Sequence, residues 1–250
     1  GNTARMLGIL VLKELLENLL NMRFIALCVV AIVLLVSSIV VLTGQYRDEL
    51  NDYHSRVSTQ DEFIDRYGHA NRINWMSVIV RGPSSYRALV LGLDKDASQE
   101  NFINNPIPAL LSRLDVVSIV AIIMSLIALV LAHAAISGER EDGMLKLMLS
   151  TRISRRTIIF GKFIGGIITL SIPFTLGIFL GLGYVSVIVG LDFSLTSISV
   201  LAFLLFLSYL YMTAFYALAL LFSSRSRTSN VAVLKSLFAW VVFVLVLPNI

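Results

Sequence analysis

Five apolar runs of about 20 residues constrain the fold of this chain more than any other feature. A helix needs about 20 apolar residues to cross the hydrocarbon core of a bilayer, whereas a membrane-crossing strand shows a dyad pattern that is absent here. The hydrophobic content of 57% exceeds that of a soluble domain. We therefore predict an all-α polytopic membrane protein, a helical bundle with five visible transmembrane helices at 24–42, 116–136, 163–189, 198–222 and 231–247.

Lysine and arginine residues in the short connections predict the orientation. The connection 137–162 carries six of them, whereas the connection 190–197 carries none. The positive-inside rule then places the N-terminus in the cytoplasm and the segment 43–114 outside. We expect the protein in the plasma (inner) membrane of a prokaryote. Because most of the net charge of +4 follows from this bias, no nucleic-acid partner is indicated.

The N-terminal residues 5–22 carry their polar side chains on one helical face. This pattern predicts an interfacial helix that lies in the plane of the membrane before the first span. A straight extension of the first span into the cytoplasm is the alternative. The polar residues of this face are Lys13, Glu14, Glu17, Asn18 and Asn21.

The extracytoplasmic segment 43–114 combines several local patterns. Gln45 to Tyr67 is polar and predicts a helix, Ile73 to Val80 predicts a strand, and Asn105 to Pro108 breaks the chain before the second span. His54 and His69 have no acidic or cysteine partners at metal spacing, so we interpret them as solvated surface residues. No metal site is predicted.

Glycines give the third span a surface for close helix packing. They form two pairs at small-xxx-small spacing, and a proline between the pairs is expected to kink or break the helix. A helix that flexes during transport is the functional interpretation, and ordinary tight packing is the alternative. The residues are Gly161, Gly165, Pro173, Gly177 and Gly181.

Ionisable residues are rare within the five runs. His133 and Lys235 lie near the inner ends of the second and fifth runs, where packing and snorkelling explain them. Neutral spans disfavour an ion-coupled secondary transporter. Gly161-Lys162 is followed by Phe163 and lacks the first glycine of a P-loop, and no catalytic constellation is present. The chain is therefore predicted not to be an enzyme and to hold no cofactor.

A dense group of charges follows the second run, in the cytoplasmic coupling region 138–156. We expect Gly138 to end the transmembrane helix, and Glu139 to Ser150 to form one short helix with acidic residues at its start and an apolar side of methionine and leucine. Such a helix is suited to docking in a groove of a partner. A solvated loop that only sets the orientation is the alternative.

Residues 114–166, which contain the stretch "SGEREDGMLKLMLSTRISR" at 137–155, resemble the central signature of ABC-2 type transporter permeases. The opening "LVLKELLENLLNMRF" and the later "SSRSRTSN" are also similar to that family. Met144 and Arg152 depart from it, because threonine and proline are usual there. The matching residues are Ser137, Gly138, Glu139, Arg140, Glu141, Gly143, Leu145, Lys146, Ser150, Ser154, Arg155, Gly161 and Lys162.

This resemblance implies a permease subunit of an exporter that is driven by a separate cytoplasmic ABC ATPase subunit, where ATP and magnesium bind. A second permease subunit, identical or different, would complete the transporter within the lipid bilayer. Members encoded near copper-enzyme maturation and gliding-motility systems are the most similar, and a sixth span is expected beyond this chain. The residues expected to couple to the ATPase are Glu139, Arg140, Glu141, Asp142, Gly143, Lys146, Arg152 and Arg155.

A second function remains open from the sequence. A membrane scaffold or assembly factor, on which an ATPase partner does mechanical work without moving a solute, would share these features. Co-purification of an ATPase fits both functions, whereas ATP-dependent flux fits only the permease.

Overall fold

The computed structural model describes residues 2–67, 115–150, 154–189 and 195–247. These residues form helices and short connections, without a strand among them. Five of the helical stretches are long and apolar enough to cross a membrane. The predicted all-α polytopic fold class is thereby confirmed.

Eight helical elements follow one another along the described chain. Two of them include π-helical segments, which are given with the helix that they continue. The elements are α1 (Asn2–Leu19), α2 (Met22–Tyr67), α3 (Val116–Ile119, π-helical Val120–Met124 and Ser125–Ala132), α4 (Ser137–Glu141), α5 (Met144–Ser150), α6 (Arg155–Val189), α7 (Leu195–Arg225) and α8 (Ser229–Trp240, continued by π-helical Val241–Val246).

The chain divides into two compact units. The first contains residues 1–36, 117–180 and 200–250, and its core includes the fully buried Leu35, Phe174 and Tyr216. The second contains residues 37–116 and 181–199, where Ile39 is fully buried and lies against Gly181. The residues discussed as a functional site below all belong to the first unit.

The N-terminal helix α1 is separate from the first span. It ends at Leu19, and the side-chain oxygen of Asn21 accepts a hydrogen bond from the backbone N–H of Arg23 at 3.0 Å. An asparagine that satisfies a free N–H of the first turn starts a new helix, so α1 is not an extension of α2. Apolar side chains of α1 are exposed, including Ile9 and Leu12, and the placement of this helix in the membrane interface stays a prediction.

Helix α2 contains both the first apolar run and the polar stretch that follows it. The first span and the polar helix after it form one helix of 46 residues, about 69 Å long at 1.5 Å per residue. This length is more than twice the ~30 Å of a hydrocarbon core, so a large part of α2 extends beyond one. The predicted strand 73–80 and the break at 105–108 lie outside the described residues.

The prediction of one helix from Glu139 to Ser150 is wrong. Gly138 does not end a helix, because it lies inside α4. The break comes at Gly143, whose φ of +74° ends the helical path and separates α4 from α5. A left-handed backbone angle is accessible to glycine without the steric cost that a Cβ atom brings, which is the physical reason for a glycine at this position.

Pro173 does not break the third span. Helix α6 runs from Arg155 to Val189 with this proline inside it, and it begins eight residues before the predicted Phe163. The fourth and fifth spans are also longer at their first ends than predicted, since α7 begins at Leu195 and α8 at Ser229. Polar residues at these ends continue the helices past the apolar runs.

Candidate functional site

Three consecutive charged residues of α4 contact three different parts of the first unit. We call Glu139, Arg140 and Glu141 the α4 clamp. Glu139 reaches the start of α6, where its Oε1 lies 2.9 Å from Nζ of Lys162. Successive side chains of a helix point about 100° apart, so three consecutive residues of one short helix can contact three different neighbours. The clamp therefore ties α4 to its neighbours by polar contacts.

Arg140 caps the end of α7. Its Nη1 donates to the carbonyl oxygen of Ser226 at 2.6 Å, and its Nη2 donates to that of Ser224 at 2.9 Å. The last carbonyl groups of a helix have no partner within it, so a guanidinium group there satisfies them and opposes the negative end of the helix dipole.

Glu141 meets the start of α8. Its Oε2 accepts a hydrogen bond from Oγ of Ser229 at 2.6 Å, and a carboxylate is favourable at the positive end of a helix dipole. Next to it, the hydroxyl of Ser223 accepts bonds at 3.0 Å from the backbone N–H groups of Ile136 and Ser137. Contacts to other helices are therefore present at both the start and the end of α4.

A buried ion-pair network joins α1, α4 and α6. Nζ of Lys162 lies 2.8 Å from Oε2 of Glu14 and 2.9 Å from Oε1 of Glu139. The side chains of Lys162 and Glu14 are only 6% and 9% exposed. Lys13 extends the network outward, to Glu139 at 3.7 Å and to Glu17 at 3.3 Å. Buried charges of this kind persist only when they are paired, so loss of one partner is costly.

Burial affects the titration of the acidic partner on α1. Desolvation raises the pKa of the Glu14 carboxyl above its ordinary value, and this effect outweighs the lowering by the Lys162 ammonium group. The neighbouring charge of Glu139 acts in the same direction as burial.

Glycines of α6 allow α1 to come close enough for this network. A Cβ atom on Gly161 would lie 3.0 Å from Cβ of Leu10, and one on Gly165 would lie 2.9 Å from Cβ of Glu14. Farther along α6, Gly177 contacts Leu35 of α2. The backbone-to-side-chain approach at Gly161 and Gly165 brings Glu14 to Lys162.

Gly166 has a tighter environment, although the sequence analysis did not single it out. A Cβ atom at this position would overlap the phenol group of Tyr216. The Tyr216 hydroxyl donates to the carbonyl oxygen of Lys162 at 3.1 Å. Tyr216 of α7 thus packs in the space that Gly166 leaves and fixes the backbone that carries the lysine.

Helix α5 contrasts with α4, because two of its apolar side chains are exposed. Met144 and Leu147 are 44% and 69% exposed, and Lys146 is exposed as well. Asp142 before α5 and Arg155 after it are also exposed. Arg152 lies outside the described residues. Exposed methionine and leucine side chains on a short helix form a surface that a partner groove can accept.

The buried network was missed from the sequence. The polar face of residues 5–22 predicts an interfacial helix but no ion pair, whereas Glu14 on that face is buried. In the sequence, Lys162 contributes to the orientation and to the family signature, and nothing there marks it as a buried cation. One signal was available: a lysine at the start of an apolar helix needs an anion when it is buried, and few acidic residues outside the extracytoplasmic segment could supply one.

The described structure is that of a polytopic helical membrane protein with a clamped α4 and an exposed α5. The sequence model of the family described as ABC-2 family transporter protein matches residues 9–250. The chain belongs to this family and is a membrane-spanning subunit of an ABC transporter.

Two curated relatives carry the name probable ABC transporter permease protein NosY. The chain is 33% identical over 141 residues to the one from Pseudomonas aeruginosa and 34% identical over 144 residues to the one from Stutzerimonas stutzeri. Each match covers 56% of this chain and 50% of the relative. The matched part of the chain thus spans about half the length of these relatives.

Proposed function

We propose that this chain is the permease subunit of an ABC exporter and that a separate ATPase subunit docks on α5. The observation that carries the proposal is the division at Gly143. The charged residues of α4 contact other parts of the chain, whereas the apolar Met144 and Leu147 of α5 are exposed next to them. ATP and Mg²⁺ bind to the ATPase subunit, and this chain contributes no cofactor site or catalytic group.

The α4 clamp gives α5 a route for transmitting motion. A force on α5 passes through Gly143 to α4, and the clamp connects α4 to α6 through Lys162, to the end of α7 and to the start of α8. Rigid elements joined by buried ion pairs and hydrogen bonds move together. A second permease subunit, identical or different, completes the transporter.

The experiment for docking is a single new charge on α5. Leu147→Glu places a carboxylate on the most exposed apolar residue of α5 and keeps a good helix former. Asn230→Glu is the matched control, because it adds the same charge at an exposed position near the start of α8. We expect Leu147→Glu to abolish co-purification of a P-loop ATPase and Asn230→Glu to preserve it. Equal recovery with both variants would contradict docking on α5.

The export direction rests on the family, and inside-out vesicles test it. Solutes in such vesicles are compared after incubation with ATP and with a non-hydrolysable analogue. An exporter accumulates a solute only with ATP, and Leu147→Glu abolishes this accumulation. A stimulated ATPase without any solute change would favour the membrane scaffold.

We also propose that the N-terminus lies in the cytoplasm and that the protein resides in the plasma membrane of a prokaryote. The lysine and arginine distribution supports this topology. Cysteines at the exposed Ser58 and Ser154, in a Cys28→Ala background, are expected to react with an impermeant thiol reagent from opposite sides of the membrane. Reaction of both from one side would contradict the topology.

A further inference from the structure

A cavity of about 460 Å³ lies beside the buried network, between α1, the start of α2, the end of α3 and α4. Its volume is within the ~300–1,000 Å³ of small-ligand sites. Its rim contains exposed polar and apolar residues, including Asn21, Arg23 and Val130. Arg23 is the first charged residue before the apolar run of α2, so the cavity lies near one end of that span.

The cavity has a polar wall and an apolar wall. The polar wall includes the buried Glu14 and Lys162 with Glu139. The apolar wall includes Leu27 of α2 and Leu131 of α3. An amphiphilic lining at the end of a membrane span matches a molecule that has a polar head and an apolar tail.

Two buried polar atoms of this lining have no hydrogen-bond partner within the described part of the chain. Oε2 of Glu139 is an unused acceptor, although Oε1 of the same carboxylate is engaged by Lys162. Nδ2 of Asn18 is an unused donor. Buried polar atoms without partners are unfavourable, so a ligand that supplies one donor and one acceptor is stabilised here.

The charges of the lining decide which head group fits. Four carboxylates, from Glu14, Glu17, Glu139 and Asp142, line the cavity together with two strong cations, Lys162 and Arg23. Lys13, which contacts Glu17 and Glu139, offsets one further carboxylate, so one negative charge remains in excess. This excess of negative charge disfavours an anionic head group and favours one with an ammonium group. A quaternary ammonium has no N–H to donate to Glu139 and is typically recognised by an aromatic cage, which one buried Phe24 does not form.

We propose that this cavity binds the head group of an aminophospholipid, with its primary ammonium group on Glu139 and its phosphate on Asn18 and Arg23. The ammonium supplies a donor to the free carboxylate oxygen, and the phosphate accepts from the free amide and from the guanidinium. The acyl chains leave past Leu27 and Leu131 toward the bilayer. This inference does not depend on the proposed ATPase docking.

The test measures which lipid stays with the purified protein. Protein in detergent is incubated with equal amounts of phosphatidylethanolamine, phosphatidylcholine and phosphatidylglycerol of the same acyl chains, and bound lipid is counted by native mass spectrometry. We expect phosphatidylethanolamine to be retained at least tenfold over each of the others. Equal retention of the three lipids would overturn the proposal.

Two variants locate the site. Glu139→Gln removes the ammonium partner but also weakens the contact with Lys162, so it is paired with Asn18→Leu, which breaks no ion pair. We expect each to reduce phosphatidylethanolamine retention at least fivefold, and Asn51→Leu on α2, which does not line the cavity, to leave it unchanged. Unchanged retention in Asn18→Leu contradicts the assignment.

Soluble phosphoethanolamine distinguishes a lipid from a free metabolite with the same head group. When it is added in large excess, a lipid site releases little of its phosphatidylethanolamine, because the acyl chains also contribute to binding. Complete displacement at low excess would show that the cavity takes the free compound and would overturn the lipid assignment.

Discussion

Helices α4 and α5 are neighbours of similar length, but their side chains have different environments. The charged residues of α4 are engaged within the chain: Glu139 with Lys162, Arg140 with the end of α7, and Glu141 with Ser229. The apolar Met144 and Leu147 of α5 are exposed. Only Asp142 and Gly143 separate the two helices.

This difference shows that residue type alone does not separate docking residues from structural ones. From the sequence, all the charges of this segment are candidates for a partner surface, but Glu139, Arg140 and Glu141 contact other helices of the same chain. Polar groups near the end of a helical bundle find free helix termini and buried counter-charges to satisfy. The apolar Met144 and Leu147 of α5 are exposed, so their side chains are candidates for contact with another protein.

The largest expected effect comes from the cation that α4 and α1 share. Lys162→Met leaves the buried carboxylate of Glu14 without its cation and leaves Glu139 with only the more distant Lys13, and we expect a loss of about 3–5 kcal/mol in the free energy of unfolding. Thermal unfolding in detergent measures it. Lys146→Met on the exposed α5 is the control, with an expected change within about 0.5 kcal/mol.

A double variant sharpens this test. In Glu14→Gln with Lys162→Met, one buried charge fewer is left unpaired, so the loss is expected to be smaller than for Lys162→Met alone. A double variant at least as unstable as the single one would show that the two residues do not act as a buried pair.

The next effect concerns the packing that holds the Lys162 backbone. Gly166→Ala places a methyl group on the phenol of Tyr216, and we expect a loss of about 1–3 kcal/mol from overpacking. Gly183→Ala on the same helix meets no atom within 4 Å and serves as the control. If both variants unfold at the same temperature, Tyr216 is not fixed by this contact.

A smaller effect is expected at the boundary between the two helices. Gly143→Ala meets no neighbouring atom, so only its φ of +74° opposes the substitution, at about 1–2 kcal/mol. Gly8→Ala in α1 is the opposite control, because alanine favours a helix and nothing obstructs it there. Gly143→Pro is more disruptive, since proline fixes φ near −65°. Measured permease-stimulated ATP hydrolysis should fall with both Gly143 variants.

The smallest effect is the pH dependence contributed by Glu14. Its pKa in the folded protein lies above the ordinary value of 4.5, so the folded state binds the proton more tightly than the unfolded state. Stability from this group is present below pH 4.5 and is lost as the pH rises through the folded pKa. As the pH rises over this range, we expect the unmodified protein to lose stability relative to Glu14→Gln, by less than ~1.4 kcal/mol per pH unit. A gain in stability of the unmodified protein relative to Glu14→Gln over the same range would contradict the raised pKa.

The apolar runs by themselves determined the fold class and the approximate place of each span. Because a bilayer requires about 20 apolar residues per helix, this information is local in the sequence. The resemblance of residues 137–155 to a family signature likewise needed no structure. The exact ends of the helices were less accessible, because polar residues extend α2 and α6 beyond their apolar runs.

Only the tertiary structure decided which charges are buried and which helix is exposed. Glu14 and Lys162 are 148 positions apart, and their contact depends on how closely α1 approaches Gly161 and Gly165. The break at Gly143 depends on a backbone angle that no neighbouring residue dictates. Periodicity describes the faces of a single helix, whereas pairing across helices is a property of their packing. This packing engages the charged residues of α4 and leaves Met144 and Leu147 of α5 exposed.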